Sequence, residues 1–297
     1  FNFKDKSFAV YGLGLTGKSV VNFLKKNKAN QIFTWDDYLF KFSLKSKNRF
    51  KAHLNFVDYI IISPGINIEK SKFEKSLMRN KDKIITDLDL FFLKNKIKKS
   101  IVITGTNGKS TTCSLIHHIL KKNKIKNKLA GNIGKPVLDL KFIKKEVYII
   151  EASSFQLEYS QFIKPYCAAI LNISPDHLDW HGSLKKYIKS KTKIFNNQTR
   201  GDIAFLNDLN LKKIYKRNKF LGKLKFIKNF PEELKNNKNR YLMLESNIDN
   251  VKFAYFITKL FNINKKNFLI SLKTFKGLPH RHEVFLKLGN CTFINDS

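Results

Sequence analysis

Apolar residues along the chain fall into short runs, each closed by glycine, proline, aspartate or asparagine and mostly followed by residues at helical spacing. Residues 7–11 form a strand-like run that empties into Gly12-Leu-Gly14-Leu-Thr-Gly17, and residues 18–26 then have the period of a helix. Residues 32–35 predict a second strand ending at Asp36-Asp37, and residues 57–62 a third that stops at Ser63-Pro64-Gly65. This alternation predicts a parallel sheet covered by helices. Thr86 to Leu90 leads into a short helix, and the charged run 94–99 marks a boundary. A second α/β unit follows, with strands at 101–104, 147–150, 168–172 and near 203–206, and helices at about 109–122 and 183–195. The lysine- and asparagine-rich region 211–239 predicts peripheral strands and loops, and 247–261 is again helical. There is no internal repeat.

A length of 297 residues suits two domains of ordinary size, each with its own core. The net charge of +34 suggests nucleic acid when taken alone. Its lysines are spread through the whole chain, however, which favours a solvated surface over a polyanion patch. Cys113, Cys167 and Cys291 lack CxxC spacing and predict reduced thiols of a cytoplasmic protein. No apolar stretch approaches the roughly 20 residues that cross a bilayer, and no signal peptide precedes the first strand. The chain starts without Met and stops at Asp296-Ser297, directly after the strand-like stretch 291–294, which predicts a fragment of a longer protein.

The most telling stretch is Ile101-Val-Ile-Thr-Gly105-Thr-Asn-Gly108-Lys109-Ser110-Thr111. A strand, a glycine turn and a helix aim backbone N–H groups and the positive end of a helix dipole at one spot, which makes an anion cradle. Lys109 would reach β/γ-phosphates and the Ser110 hydroxyl could ligate Mg²⁺. The strict pattern asks for glycine where Ile103 stands, so a plain glycine turn is the competing reading. Gly12-x-Gly14-x-x-Gly17 with Asp36 at the end of the next strand fits NAD, another diphosphate-bearing nucleotide, or a structural turn.

Further candidates lie at the same predicted sheet edge. Glu151 closes the strand at 147–150 and suits either an Mg²⁺ ligand or a helix N-cap before Ser153 and Ser154. Asp176-His177 follows another strand, and His177 is a candidate cation ligand or a structural histidine. Lys191 falls three residues after Ile188, four after Tyr187 and four before Phe195, on the inward stripe of its helix. Burial would lower its pKa, and a neutral amine can take up CO₂ as a carbamate, an oxygen ligand for Mg²⁺. A lysine that snorkels to water satisfies the same spacing.

These elements together resemble the Mur ligase family, ATP-dependent amide ligases that build the peptidoglycan stem peptide. The resemblance rests on residues 12–17, Ser-Pro-Gly-Ile (63–66), Gly-Thr-Asn-Gly-Lys-Ser-Thr (105–111) and Gly-Asn-Ile-Gly (131–134). It continues through Glu-Ala-Ser-Ser-Phe-Gln-Leu-Glu (151–158), Asn-Ile-Ser-Pro-Asp-His-Leu-Asp (172–179), Gly-Leu-Pro-His-Arg (277–281) and Ile-Asn-Asp-Ser (294–297). Ser-Ser-Phe-Gln-Leu-Glu looks like the branch that adds D-glutamate. The resemblance implies a Rossmann-like domain at 1–93, a P-loop-type central ATPase domain at 94–277 and the start of a C-terminal Rossmann-like ligase domain at 278–297.

It also implies the substrates UDP-N-acetylmuramoyl-L-alanine, D-glutamate and ATP, two Mg²⁺ ions, and a monomer without nucleic-acid or membrane partners. Leu15, Thr16 and Ser63 would lie near the UDP end, and Asn132 and His177 near the reacting carboxyl. ATP would meet Gly105, Thr106, Asn107, Gly108, Lys109, Ser110 and Thr111, with Asn247 at adenine, Arg281 at the phosphates and Asp296 at the ribose. Ser110 and Glu151 would hold the first Mg²⁺, and Glu151, His177 and carbamylated Lys191 the second. Tyr38 stands where the family often has an arginine near the uracil, and Ser246 where it has a histidine before Asn247. The rival readings are a nucleotide-binding fragment without ligase activity, a nucleic-acid-binding protein, and another Mur or folylpolyglutamate-type ligase.

Overall fold

The computed structural model describes the chain apart from residues 42, 96, 236–238, 279–282, 289–290 and 296–297, with backbone alone at 235, 283–288 and 291–295. The first sheet holds β1 (Ser7–Tyr11), β2 (Gln31–Trp35), β3 (Tyr59–Ile62) and β4 (Ile84–Ile85) in the order β2-β1-β3-β4, all parallel. The second holds β5 (Ser100–Thr104), β6 (Asn127–Gly131), β7 (Val147–Glu151), β8 (Cys167–Ile170), β9 (Ile203–Leu206) and β10 (Lys223–Phe226). Their order is β10-β9-β8-β5-β7-β6, again all parallel. A last pair, β11 (Glu283–Leu288) and β12 (Cys291–Asn295), runs antiparallel.

β5, β7, β8 and β9 are buried along their whole length. That is why they appear in the sequence as continuous apolar runs: a parallel strand covered on both faces has no polar side to alternate with. In each sheet the chain leaves the first strand toward one neighbour and later returns to pair on its other side. The carboxyl ends of β1 and β3, and of β5, β7 and β8, therefore open onto a crevice where ligands of such folds bind.

The helices Leu44–His53, Glu74–Arg79 and Lys265–Lys273 and the two-residue strand β4 add to the expected elements, and two further segments differ from the sequence expectation. Residues 127–131 form the edge strand β6 although they carry no apolar alternation, because pairing with β7 supplies what side-chain pattern does not. Within 211–239 the chain builds the helix Leu209–Arg217 instead of only strands and loops. Asp208 caps it by accepting from the Leu211 N–H at 2.7 Å, and Leu211 and Tyr215, four apart, bury its one apolar stripe. The surrounding lysines mask that stripe in the sequence.

The two sheet units meet across a seam with two buried carboxylates. Asp89 Oδ1 accepts from the backbone N–H groups of Gln161 (3.0 Å) and Phe162 (2.7 Å), and its Oδ2 from the Thr86 N–H (2.8 Å). Asp87 accepts from Gln156 Nε2 at 3.1 and 3.3 Å. Burial pushes both carboxyls up to about 6, against the hydrogen bonds that favour the charged form. In the unfolded chain they titrate near the ordinary aspartate value of 3.8, so between those values the folded protein holds protons that the unfolded chain has lost. Their contribution to stability therefore falls as pH rises from about 4 to about 6.

Asp89→Asn sets an NH₂ group against either the Gln161 and Phe162 N–H groups or the Thr86 N–H and should cost about 1–3 kcal/mol. In urea titrations, the stability gap between wild type and variant should shrink across that same pH window. A gap that widens would contradict the assigned direction.

Candidate nucleotide and metal site

β5 ends at Thr104, and the chain turns through Gly105–Gly108 into the helix Lys109–Lys122. Gly108 caps that helix at φ +79°, and a Cβ placed there would lie 2.1 Å from Asn250 Oδ1. Asn250 belongs to the helix Glu245–Thr258, which packs on Lys109–Lys122 and also takes a hydrogen bond from Thr112 Oγ1 at 3.0 Å. The close approach of two helices thus dictates glycine at this position.

The loop is clamped on its other side by the segment after β8. The Thr106 N–H donates to Asn172 O (3.0 Å), the Asn107 N–H to Asn172 Oδ1 (2.8 Å), and the Ser174 N–H to Thr106 Oγ1 (3.0 Å). Thr106 Oγ1 also meets the Tyr187 hydroxyl at 3.1 Å. Lys109 folds over the loop and donates from Nζ to Gly105 O (3.1 Å) and Thr106 O (2.7 Å).

Ser110 and Glu151 come together as their positions at one sheet edge imply. Ser110 Oγ donates to Glu151 Oε2 at 2.8 Å, and Asn132 Nδ2 donates to Glu151 Oε1 at 3.0 Å. Glu151 terminates β7 and is 1% exposed, so both oxygens of a buried carboxylate are satisfied by groups from two other segments. Gly131, at φ +109°, lets this strand tip approach, since a Cβ would sit 2.2 Å from Glu151 O.

Lys191 lies inside, as its place on the helical stripe predicts. It is 1% exposed on the helix Leu184–Thr192. Its Nζ donates to Gly105 O at 2.8 Å and Thr104 Oγ1 at 3.3 Å, and stands 4.7 Å from the centre of the Tyr187 ring. Burial, reinforced by the Lys109 charge, pushes its pKa down to about 7, against the pull of Asp176 and Glu151.

His177 takes the left-handed conformation at φ +51° at the head of the short helix Leu178–His181. Its half-exposed ring lies 4.8 Å from that of Phe155, with Nε2 3.4 Å from Asp176 Oδ2. Among the described residues, no three His, Cys, Asp or Glu side chains stand close enough together to hold a metal. A cation site here therefore needs donors of other kinds.

On the first sheet, Leu15 opens the helix Leu15–Lys26 and is largely exposed, and Thr16 beside it is half-buried. Ser63 is buried and donates from Oγ to Gly12 O at 2.8 Å, joining the two glycine loops. Asp36 accepts from the N–H groups of Leu13, Tyr38 and Leu39 at 2.7, 2.9 and 3.2 Å, so its carboxylate shapes the loop. Thr111 is buried on the helix behind the loop, with Oγ1 3.4 Å from the Tyr241 hydroxyl. Asn247 is buried too, its amide donating to Tyr241 O (2.8 Å) and its Oδ1 accepting from Asn250 (2.9 Å). Arg281 and Asp296 lie outside the described residues.

Sequence reasoning missed Asn250, Tyr187 and His181. His181 is buried, 3.0 Å from Ser154 Oγ, and burial followed by the Lys191 charge pushes its pKa down to about 4. Helical spacing from Lys191 points to Tyr187, whereas nothing local marks the other two.

A glycine loop between a buried parallel strand and a helix, with a carboxylate at the next strand tip, defines a P-loop-type nucleotide-binding protein. Residues 103–275 match the Mur ligase middle domain family. UDP-N-acetylmuramoylalanine--D-glutamate ligase of Rickettsia prowazekii (strain Madrid E) is 34% identical over 99% of this chain and 72% of its own length. The protein of the same name from Wolbachia pipientis wMel is 31% identical over 99% and 74%. Two solved structures share the fold. They are UDP-N-acetylmuramate:L-alanyl-gamma-D-glutamyl-meso-diaminopimelate ligase from Neisseria meningitides (TM-score 0.58, 12% identity, 92% of this chain and 99% of that one) and MurF ligase from Thermotoga maritima in complex with ADP (TM-score 0.55, 16% identity, 99% and 68%). The chain belongs to the Mur ligase family.

Gly108→Ala combines left-handed strain of about 1–2 kcal/mol with the Asn250 clash. At roughly 2–4 °C per kcal/mol for a chain of this size, the thermal midpoint should drop by several degrees. An unchanged melting curve would mean that the loop does not need this conformation.

Proposed function

We propose that this protein is the ATP-dependent ligase that joins D-glutamate to UDP-N-acetylmuramoyl-L-alanine in the cytoplasmic assembly of peptidoglycan precursors. One observation carries the reading: the Ser110 hydroxyl, the Glu151 carboxylate and the Lys191 amine gather around the glycine loop at the ends of β5 and β7. The names of the relatives support the same substrates. No helix of the described residues is long and apolar enough to cross a membrane.

In the first step an oxygen of the L-alanyl carboxylate attacks the γ-phosphorus of ATP and ADP leaves, giving an acyl phosphate. In the second the amine of D-glutamate attacks the carbonyl carbon, an amide forms and inorganic phosphate departs. The main obstacle is the approach of two anions, so positioning and charge neutralisation do most of the work. The backbone N–H groups at Gly105–Thr111 and the Lys109 ammonium would cradle the phosphates. Asn132 and His177 would orient the reacting carboxyl. The UDP end would lie on the first sheet at Leu15, Thr16 and Ser63, and Asn247, Arg281 and Asp296 would serve the adenosine.

The donors present suit Mg²⁺, which favours oxygen ligands and few of them from protein. Ser110 and Glu151 would hold one ion, and Glu151, His177 and Lys191 as its carbamate a second, each ion offsetting phosphate charge. Lys191 fits this role because an amine with a pKa near 7 is largely neutral in mildly alkaline solution. Its nitrogen bonds the carbon of CO₂ and releases one proton.

Phosphate release by the full-length protein should require both UDP-N-acetylmuramoyl-L-alanine and D-glutamate, with L-glutamate ineffective. Release that ignores the amino acid would refute the assignment. Lys191→Ala should lower the rate by about 10²–10³, and bicarbonate or a short carboxylic acid should restore part of it. Full activity in that variant would exclude the carbamate.

A further inference from the structure

Three hydrogen bonds tie the loop after β3 to the turn that carries His177, and a fourth ties it to the helix Ser154–Tyr159. The Trp180 indole N–H donates to Gly65 O at 3.0 Å, and Asn67 Nδ2 returns a bond to Trp180 O at 2.9 Å. Lys70 Nζ donates to Asp179 O at 2.8 Å, and the Ile68 N–H to the Tyr159 hydroxyl at 3.1 Å. Every donor–acceptor pair crosses from one sheet unit to the other. The Trp180 ring packs edge-on against Phe155 (4.9 Å), Tyr159 (5.8 Å) and His181 (4.6 Å), and with Tyr159 it joins the apolar core of the first sheet.

The ends of this strap matter chemically. Gly65 is two residues from Ser63, which is bonded to the first glycine loop through Gly12 O. At the other end the Trp180 backbone N–H donates to His177 O at 3.1 Å, and the Phe155 ring packs edge-on against Trp180 and tilted against the His177 ring. Trp180 thus spans, through its indole at one end and its backbone N–H at the other, the gap between the groups assigned to the nucleotide end of the substrate and those assigned to its reacting carboxyl.

We infer that Trp180 is a positioning residue that fixes the distance between these two subsites, so that a UDP-linked substrate anchored at one end is held in register at the other. The inference rests on the proposed function above. A rigid strap lets binding at the distant nucleotide contribute to alignment at the carboxyl, where a loose joint would spend it on ordering the two units. Trp180 touches neither reacting atoms nor ATP in this scheme and acts only through Gly65, Asn67 and His177.

The test compares ligands that use one subsite with a ligand that uses both. Trp180→Phe keeps a ring in the aromatic cluster and removes the indole donor. The Kd of UDP-N-acetylmuramoyl-L-alanine should rise about tenfold, as expected for a lost orienting hydrogen bond, while those of UDP and of ATP change less than twofold. Asn67→Ala, which cuts the return bond from the other side, should give the same pattern. The double variant should be weaker by less than the product of the two.

A merely structural role would instead weaken all three ligands together and lower the thermal midpoint in step. That result, or an unchanged Kd for the full substrate, overturns the inference. If the wild-type protein binds UDP and ATP but shows no saturable affinity for UDP-N-acetylmuramoyl-L-alanine, the proposed function fails first and this inference with it.

Discussion

The hydrogen bond between Ser110 and Glu151 is the contact on which the site depends. It ties the first turn of the helix behind the glycine loop to the tip of the neighbouring strand. The loop is thereby fixed between two parallel strands rather than hanging from one. Everything else at the crevice is built around that frame. Asn132 secures the second carboxylate oxygen, and the segment after β8 zips onto Thr106 and Asn107. Lys191 comes up from below to the Gly105 carbonyl. A buried carboxylate and a buried amine in one site are costly unless each is satisfied, and here each is.

Lys191 also illustrates how local sequence and tertiary context divide the work. Its inward direction was readable because Tyr187, Ile188 and Phe195 mark the apolar stripe on which it falls. What it meets there was not, since Thr104 and Gly105 are more than eighty positions away. The strands β1, β2, β3, β5, β7, β8 and β9 and the glycine turns were equally legible, because buried and half-buried strands leave apolar runs; the two-residue β4 was too short to leave one. Edge strand β6 and the helix Leu209–Arg217 were not: the first takes its structure from its neighbour, and lysines dilute the apolar stripe of the second. Asn250 escaped for a third reason. Its significance lies in the space it denies at Gly108, which no periodicity records.

The excess positive charge fits the proposed substrates. The substrates assigned here are all anions, and a broadly cationic surface raises their encounter rate without forming a specific groove. Specific recognition is proposed instead to rest on backbone N–H donors, amides and hydroxyls together with a few placed charges, Lys109 foremost.

The seam between the sheets has a consequence for how this protein can change over time. Asp89 is held by the main-chain amides of Gln161 and Phe162, not by their side chains. For the Asp89 bonds alone one bank is indifferent to spelling, since any non-proline residue offers an N–H; the Gln161 amide, which donates to Asp82 O and Ile84 O, and the Phe162 ring against Tyr59 hold those positions for other reasons. The opposite bank has no such licence, because only a carboxylate provides an acceptor for every donor aimed at it. At this one contact drift is one-sided, and the acidic letter at 89 carries its share of the memory of how the halves fit.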